Sequence, residues 1–154
     1  MSFSKISSMV AVVATLGFGT AALAQDFSSA VDARQGGMNI MALNIGVLGG
    51  MARGNADYDA EAAQAAADNI AAVSMLDQRF YWPEGSDSAA FEGSRALPAI
   101  WEDFAGVSEK GQAFGAAAAG LQAAAGNGLE AMQAALGPVG AACGACHDDY
   151  RQPR

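Results

Sequence analysis

The sequence predicts an all-α protein, an antiparallel four-helix bundle running up-down-up-down. Three observations predict it. Alanine is abundant and β-branched residues are few. Apolar residues recur at alternating steps of three and four over four long stretches. The turn signals between those stretches are well separated. Four amphipathic helices of similar length, two pairs of them joined by tight links, bury their stripes against one another in such a bundle. The same pattern also fits a pair of helical hairpins that needs a partner chain, because alanine-rich faces can pack against a twin.

Residues 1–24, MSFSKISSMVAVVATLGFGTAALA, stand apart. Lys5 is their only charge, an apolar run follows from Met9 to Leu23, and Ala22 and Ala24 form a small-x-small cleavage pattern before Gln25. This is the form of a secretory signal peptide, whose removal leaves residues 25–154 as one domain and points to export into a bacterial periplasm. A short membrane anchor is the other reading, but the run is shorter than a spanning helix and no stop-transfer cluster follows it. No other long apolar run exists, so no membrane association is expected after cleavage. The whole chain carries a net charge of −8, and losing Lys5 makes the remainder one unit more negative. A chain this acidic lacks the basic face that nucleic acid demands. Its surface favours solubility and steers basic partners.

The first helix is expected from Ser28 to Arg53, with Val31, Arg34, Met38, Met41, Ile45, Leu48 and Ala52 turned inward. Gly54 and Asn55 stop it. The second runs from Asp59 to Asp77, with Ala63, Ala66, Ile70 and Val73 inward and Asp57 or Asp59 as its cap. The stretch RFYWPEGSDSAAFEGSRAL, residues 79–97, is the longest irregular segment and carries Phe80, Tyr81, Trp82 and Phe91. A loop of this length either serves function or packs its own rings over an open end of the core. The third helix starts at Pro98, a residue suited to a first helical turn. Its stripe is Leu97, Ile100, Phe104, Val107, Gly111, Phe114, Ala118, Leu121 and Ala125. After Gly126-Asn127-Gly128 the fourth helix carries Leu129, Met132, Leu136, Val139, Cys143, Cys146 and Tyr150, with a kink expected at Pro138.

Both cysteines and the single histidine fall within five positions of the last helix, in GAACGACHDDYR. Three chemistries compete for Cys143, Cys146 and His147. A redox Cys-x-x-Cys of the thioredoxin kind follows a strand, and no strand is visible here. Structural zinc wants four ligands, and this chain has three candidates crowded together. Covalent haem fits best: Cys-x-x-Cys-His lets two thioethers grip the ring while the adjacent imidazole reaches the iron. Export agrees with it. Alanine and glycine at inward positions also leave the helices room to stand apart around a large flat ring, although small residues favour helices in any case. Arg34 is the one charge on an apolar stripe. It either meets an anionic group such as a haem propionate or snorkels to solvent from the helix start. Met38, one turn on, faces the end of the bundle that holds His147 and is core filler or iron ligand.

CGACHDDYR near the end of a four-helix chain resembles the class II c-type cytochromes, above all the cytochrome c prime family. ARQGGMNIM, GNADYD and LPAIWEDF resemble that family's first-helix opening, first interhelical turn and third-helix start, in the right order. The resemblance covers the whole chain after residue 24. It implies one covalent haem c, Cys143 and Cys146 as thioether cysteines, His147 as axial iron ligand, Arg34 near a propionate, Arg151 on the proximal face and Met38 over the distal face. It also implies a homodimer of such chains and redox partner proteins.

Two functions follow from it. In one the iron is five-coordinate, Met38 packs without bonding, and the protein transfers electrons or binds nitric oxide and carbon monoxide. In the other Met38 is the sixth ligand of a low-spin electron carrier, as in cytochromes of the c-556 type. Methionine at this place, where many members of the family have leucine or an aromatic residue, leaves both open. A helical binding module with an incidental cysteine pair is a third reading, one that shows no haem stain under denaturing conditions. The chain offers no nucleophile–base pair or second metal site, so catalysis is not expected.

Overall fold

The computed structural model describes residues 26–153; the signal segment expected at residues 1–24 lies outside them. Five helices follow in order: α1 Ser28–Ala52, α2 Ala60–Ser74, α3 Ala99–Glu102, α4 Phe104–Ala124 and α5 Leu129–Tyr150. The four long ones pack as a ring, α1 on α2, α2 on α4, α4 on α5 and α5 on α1. The bundle therefore closes within one chain.

Hydrogen bonds between the elements fix the directions. The Gln133 amide donates to the Ala52 carbonyl, joining the end of α1 to the start of α5. The Tyr58 hydroxyl donates to the Ala125 carbonyl, and Gln64 donates to the Gln122 carbonyl. These set the start of α2 beside the end of α4. Leu97 N–H donates to the Tyr150 carbonyl, bringing the approach to α4 beside the end of α5. All four contacts are thus antiparallel, and the up-down-up-down order holds.

The capping signals act as expected at several points. Gly54 takes a φ of 71°, a left-handed conformation that ends the first hairpin's leading helix. The Asp59 carboxylate accepts from Ala62 N–H at 2.8 Å and caps α2. α5 continues through Pro138 without interruption.

The third helix departs from expectation. It is not continuous from Pro98, because Asp103 leaves the helical region (φ −129°, ψ 62°), ends α3 and caps α4 by accepting from Gly106 N–H at 3.0 Å. An aspartate's preference for capping over helix interior breaks the phase. Ile100 is buried while Phe104, expected on the same stripe, is 72% exposed.

The main core runs from the close of α1 and start of α5 along the bundle to Cys143, which packs against it. Leu48, Ile70, Leu121, Met132 and Val139 are fully buried there, with Ala63, Ala67, Ala118 and Ala125 letting the helices close in. Each larger side chain stabilises the fold by about 1.5–3 kcal/mol. A second, smaller cluster of Ala96, Ile100 and Tyr150 sits at the other end with Trp82, Trp101, Val107 and Cys146 against it. Of the loop aromatics, only Trp82 joins this cluster. Phe91 meets Phe27 edge-on at 6.0 Å, and Phe80 is exposed.

Candidate haem site

Cys143, Cys146 and His147 occupy positions i, i+3 and i+4 of unbroken helix, so their side chains share one face, with neighbouring Cβ atoms roughly 5–6 Å apart. Both thiols are unpaired and half-buried. Cys143 borders the main core and Cys146 the smaller cluster, so the motif touches both. Burial pushes both thiols above their ordinary range, and for Cys146 the nearby Lys110 ammonium partly opposes the rise. Burial, together with the positive charges of Arg151 and Arg95, holds the His147 imidazole below its usual value. It is therefore neutral at pH 7, the state in which imidazole ligates a metal.

The end of α5 is firmly seated. Ala96 and Arg151 form an antiparallel bridge, and Gln152 N–H donates to the Arg95 carbonyl at 2.8 Å. The Tyr150 hydroxyl donates to the Asp103 carboxylate at 2.6 Å. That bond lowers the carboxylate and pushes the phenol up to about 12. Gly106 lies directly against this pair, where any Cβ would collide with the Asp103 carboxylate and the Tyr150 hydroxyl. Lys110 pairs with Asp149 at 3.0 Å. Arg151 itself is exposed at the helix end.

A cleft of about 240 Å³ opens between the start of α1, the end of α2 and the following loop. Arg34, Met38, Met41, Val73, Tyr81 and Trp82 line it. Met38, expected inward, is 40% exposed. Gly111, also expected inward, is exposed, and a Cβ placed there would meet nothing within 4 Å. At this end the apolar stripes are covered only in part.

Arg34 is buried and neither snorkels nor meets a carboxylate among the described residues. Its Nη1 donates to the Tyr81 carbonyl (3.0 Å) and the Ser86 hydroxyl (2.8 Å), and its Nη2 to the Ser86 carbonyl (2.6 Å) and the Ser94 hydroxyl (2.8 Å). The guanidinium also stacks over Trp82, 4.8 Å from the ring centroid. Around Arg34 and the end of α5, Ser86, Ser94, Gly106 and Lys110 carry no signal in the sequence. Trp82 was flagged only by the aromatic richness of its loop.

The donor set suits haem. Two reduced thiols one turn apart and an adjacent neutral imidazole share one half-buried face of α5 beside apolar clusters. Among the described residues no three His, Cys, Asp or Glu side chains gather as an ion site of their own.

The comparisons agree. The family model for cytochrome c' matches residues 29–151. The chain is 44% identical over 134 residues to cytochrome c-554 of Cereibacter sphaeroides, covering 85% of this chain and 88% of the relative. It is 40% identical over 134 residues to cytochrome c' of the same organism, covering 87% and 90%. The solved structure of a cytochrome c' from Rhodobacter sphaeroides superposes with a TM-score of 0.81 at 39% identity, over 84% of this chain and 100% of that one. The chain belongs to the cytochrome c' family, class II c-type cytochromes whose cofactor is covalently attached haem c.

Proposed function

We propose that this protein is a periplasmic haem c carrier of electrons and binder of small diatomic gases, with a five-coordinate iron. The observation that carries this reading is the half-buried face of α5 that presents Cys143, Cys146 and His147 together between the two apolar clusters. When bound there, haem supplies a one-electron couple and a coordination position open to a small ligand. Cys143 and Cys146 would hold it as thioethers, and His147 would ligate its iron. Met38 would border the haem on the side away from His147, where its side chain would restrict access to small molecules. Arg34 retains Nε–H for a propionate, and Arg151 lies beside His147 on the proximal side.

Relatives support the gas-binding part. Structures of substituted variants of Alcaligenes xylosoxidans cytochrome c', 35% identical to this chain, hold nitric oxide in one case and carbon monoxide in another. The signal pattern of residues 1–24 supports the periplasm, and no described helix is long and apolar enough to cross a membrane.

A second copy of the chain is the proposed partner for the outer face of α1. Ile40, Leu43 and Val47 form an exposed apolar stripe there, with Leu43 71% exposed. One related cytochrome c' is described by its ligand-controlled dimer dissociation. Redox partner proteins are the other partners proposed.

Met38's position favours one alternative, a six-coordinate low-spin carrier of the cytochrome c-556 type in which its sulfur is the sixth ligand. The visible spectrum of the ferrous protein with and without carbon monoxide decides between them. A broad high-spin spectrum that shifts on adding the gas is expected. Sharp low-spin bands indifferent to it would establish the alternative.

A further inference from the structure

We infer that Arg34 is a positioning residue: it latches the loop of residues 81–94 in place as the wall of the cleft facing Met38, and so sets how readily a gas enters. The inference rests on the five-coordinate reading for its gas-entry part and on geometry alone for the latch.

The geometry is specific. All four Nη–H groups of Arg34 are spent on one loop, on two carbonyls and two hydroxyls of Tyr81, Ser86 and Ser94. Ser86 is fully buried and Ser94 nearly so. The serines pass the grip onward. The Ser86 hydroxyl donates to the Pro83 carbonyl at 2.7 Å, and the Ser94 hydroxyl donates to the Ser86 carbonyl at 2.7 Å. Trp82 is pinned between these points. Arg34 stacks on its ring, its indole N–H donates to Gln78 at 2.9 Å, and its carbonyl accepts from the Trp101 indole at 3.1 Å. Tyr81 and Trp82 line the same cleft as Met38, which lies one helical turn from Arg34. A planar guanidinium fork delivers four such bonds in fixed directions; an ammonium cannot. The loop is otherwise irregular over more than twenty residues, and such segments open locally unless something holds them.

The latch and a propionate role for the same charge predict different variants. The test uses the full mature haem-loaded protein and two readouts: amide hydrogen exchange over residues 80–96, and the association rate of carbon monoxide. If Arg34 is a latch, Arg34→Gln, Arg34→Lys and the pair Ser86→Ala with Ser94→Ala all raise exchange in the loop about tenfold or more, given the strength of charge-assisted bonds. All three then shift carbon monoxide association in the same direction, while exchange in the α2 and α4 core stays at wild-type values and reports an intact fold. If Arg34→Lys and the serine pair match wild type in both readouts, the charge alone matters and the inference is overturned. Faster exchange with unchanged association would overturn the gas-entry part. If the wild-type protein takes no carbon monoxide, the five-coordinate reading falls, and the latch stands or falls on exchange alone.

Discussion

The two ends of this bundle are built from the same kind of helix but finished differently. At the end formed by the close of α1 and the start of α5, Leu48, Leu121 and Met132 are fully buried and small alanines draw the helices together. At the other end the stripes continue in sequence, yet Met38 and Gly111 stand exposed and Cys143, Cys146 and His147 are only half-covered. The protein closes one end with its own side chains and leaves the other for a group it does not encode. An apolar stripe in a sequence therefore marks a face to be covered, not the thing that covers it.

The largest effect should come from the open end. His147→Ala removes the proposed axial ligand and should abolish the native visible spectrum of the haem-loaded protein; an unchanged spectrum would break the assignment. Cys146→Ser should leave at most one thioether, read by mass spectrometry of the haem peptide.

A paired truncation then measures the contrast itself. Leu121→Ala at the sealed end should cost about 2–5 kcal/mol in denaturant unfolding, the usual range for a buried leucine. Met38→Ala at the open end should cost well under that and should speed carbon monoxide binding. Comparable losses of stability from the two would erase the distinction between the ends.

Gly106→Ala tests how tightly the end of α5 is seated. With no room beside Asp103 and Tyr150, it should destabilise by about 1–3 kcal/mol through overpacking. A neutral result in thermal unfolding would show that the contact yields.

The smallest effect concerns pH. Asp103 is held below its ordinary value by Tyr150 and Gly106, so its contribution is present above pH 3.8 and lost as the pH falls further. The Tyr150 phenol is raised from 10.0 to about 12, so its contribution is complete below pH 10.0 and lost as the pH rises toward about 12. Tyr150→Phe should flatten that alkaline decline in unfolding midpoints; an unaltered pH profile would detach the bond from stability.

The helices and the motif were legible because their signals are local. Step spacing, Gly54, the Asp59 cap and a rare Cys-x-x-Cys-His all lie within a few residues. The break at Asp103 was not, since an acidic residue between stripe positions leaves the apolar count undisturbed while its side chain competes for the backbone. The surroundings of Arg34 were not legible either. The sequence marked a charge on an apolar stripe and asked for a partner, but the partners are serine hydroxyls and carbonyls 47 to 60 residues away, which have no sequence signature. A buried cation reads as a demand for an anion, and here four neutral oxygens and an aromatic face meet it instead.

Placing both thiols one turn apart on α5 has a thermodynamic consequence. A reversibly held cofactor stabilises a fold by mass action, so its benefit shrinks on dilution and vanishes when the ligand is washed away. A ring tethered through two covalent bonds has no such dependence. The haem then behaves as an additional side chain of the open end, and the melting temperature of the mature protein should be the same at any free haem concentration.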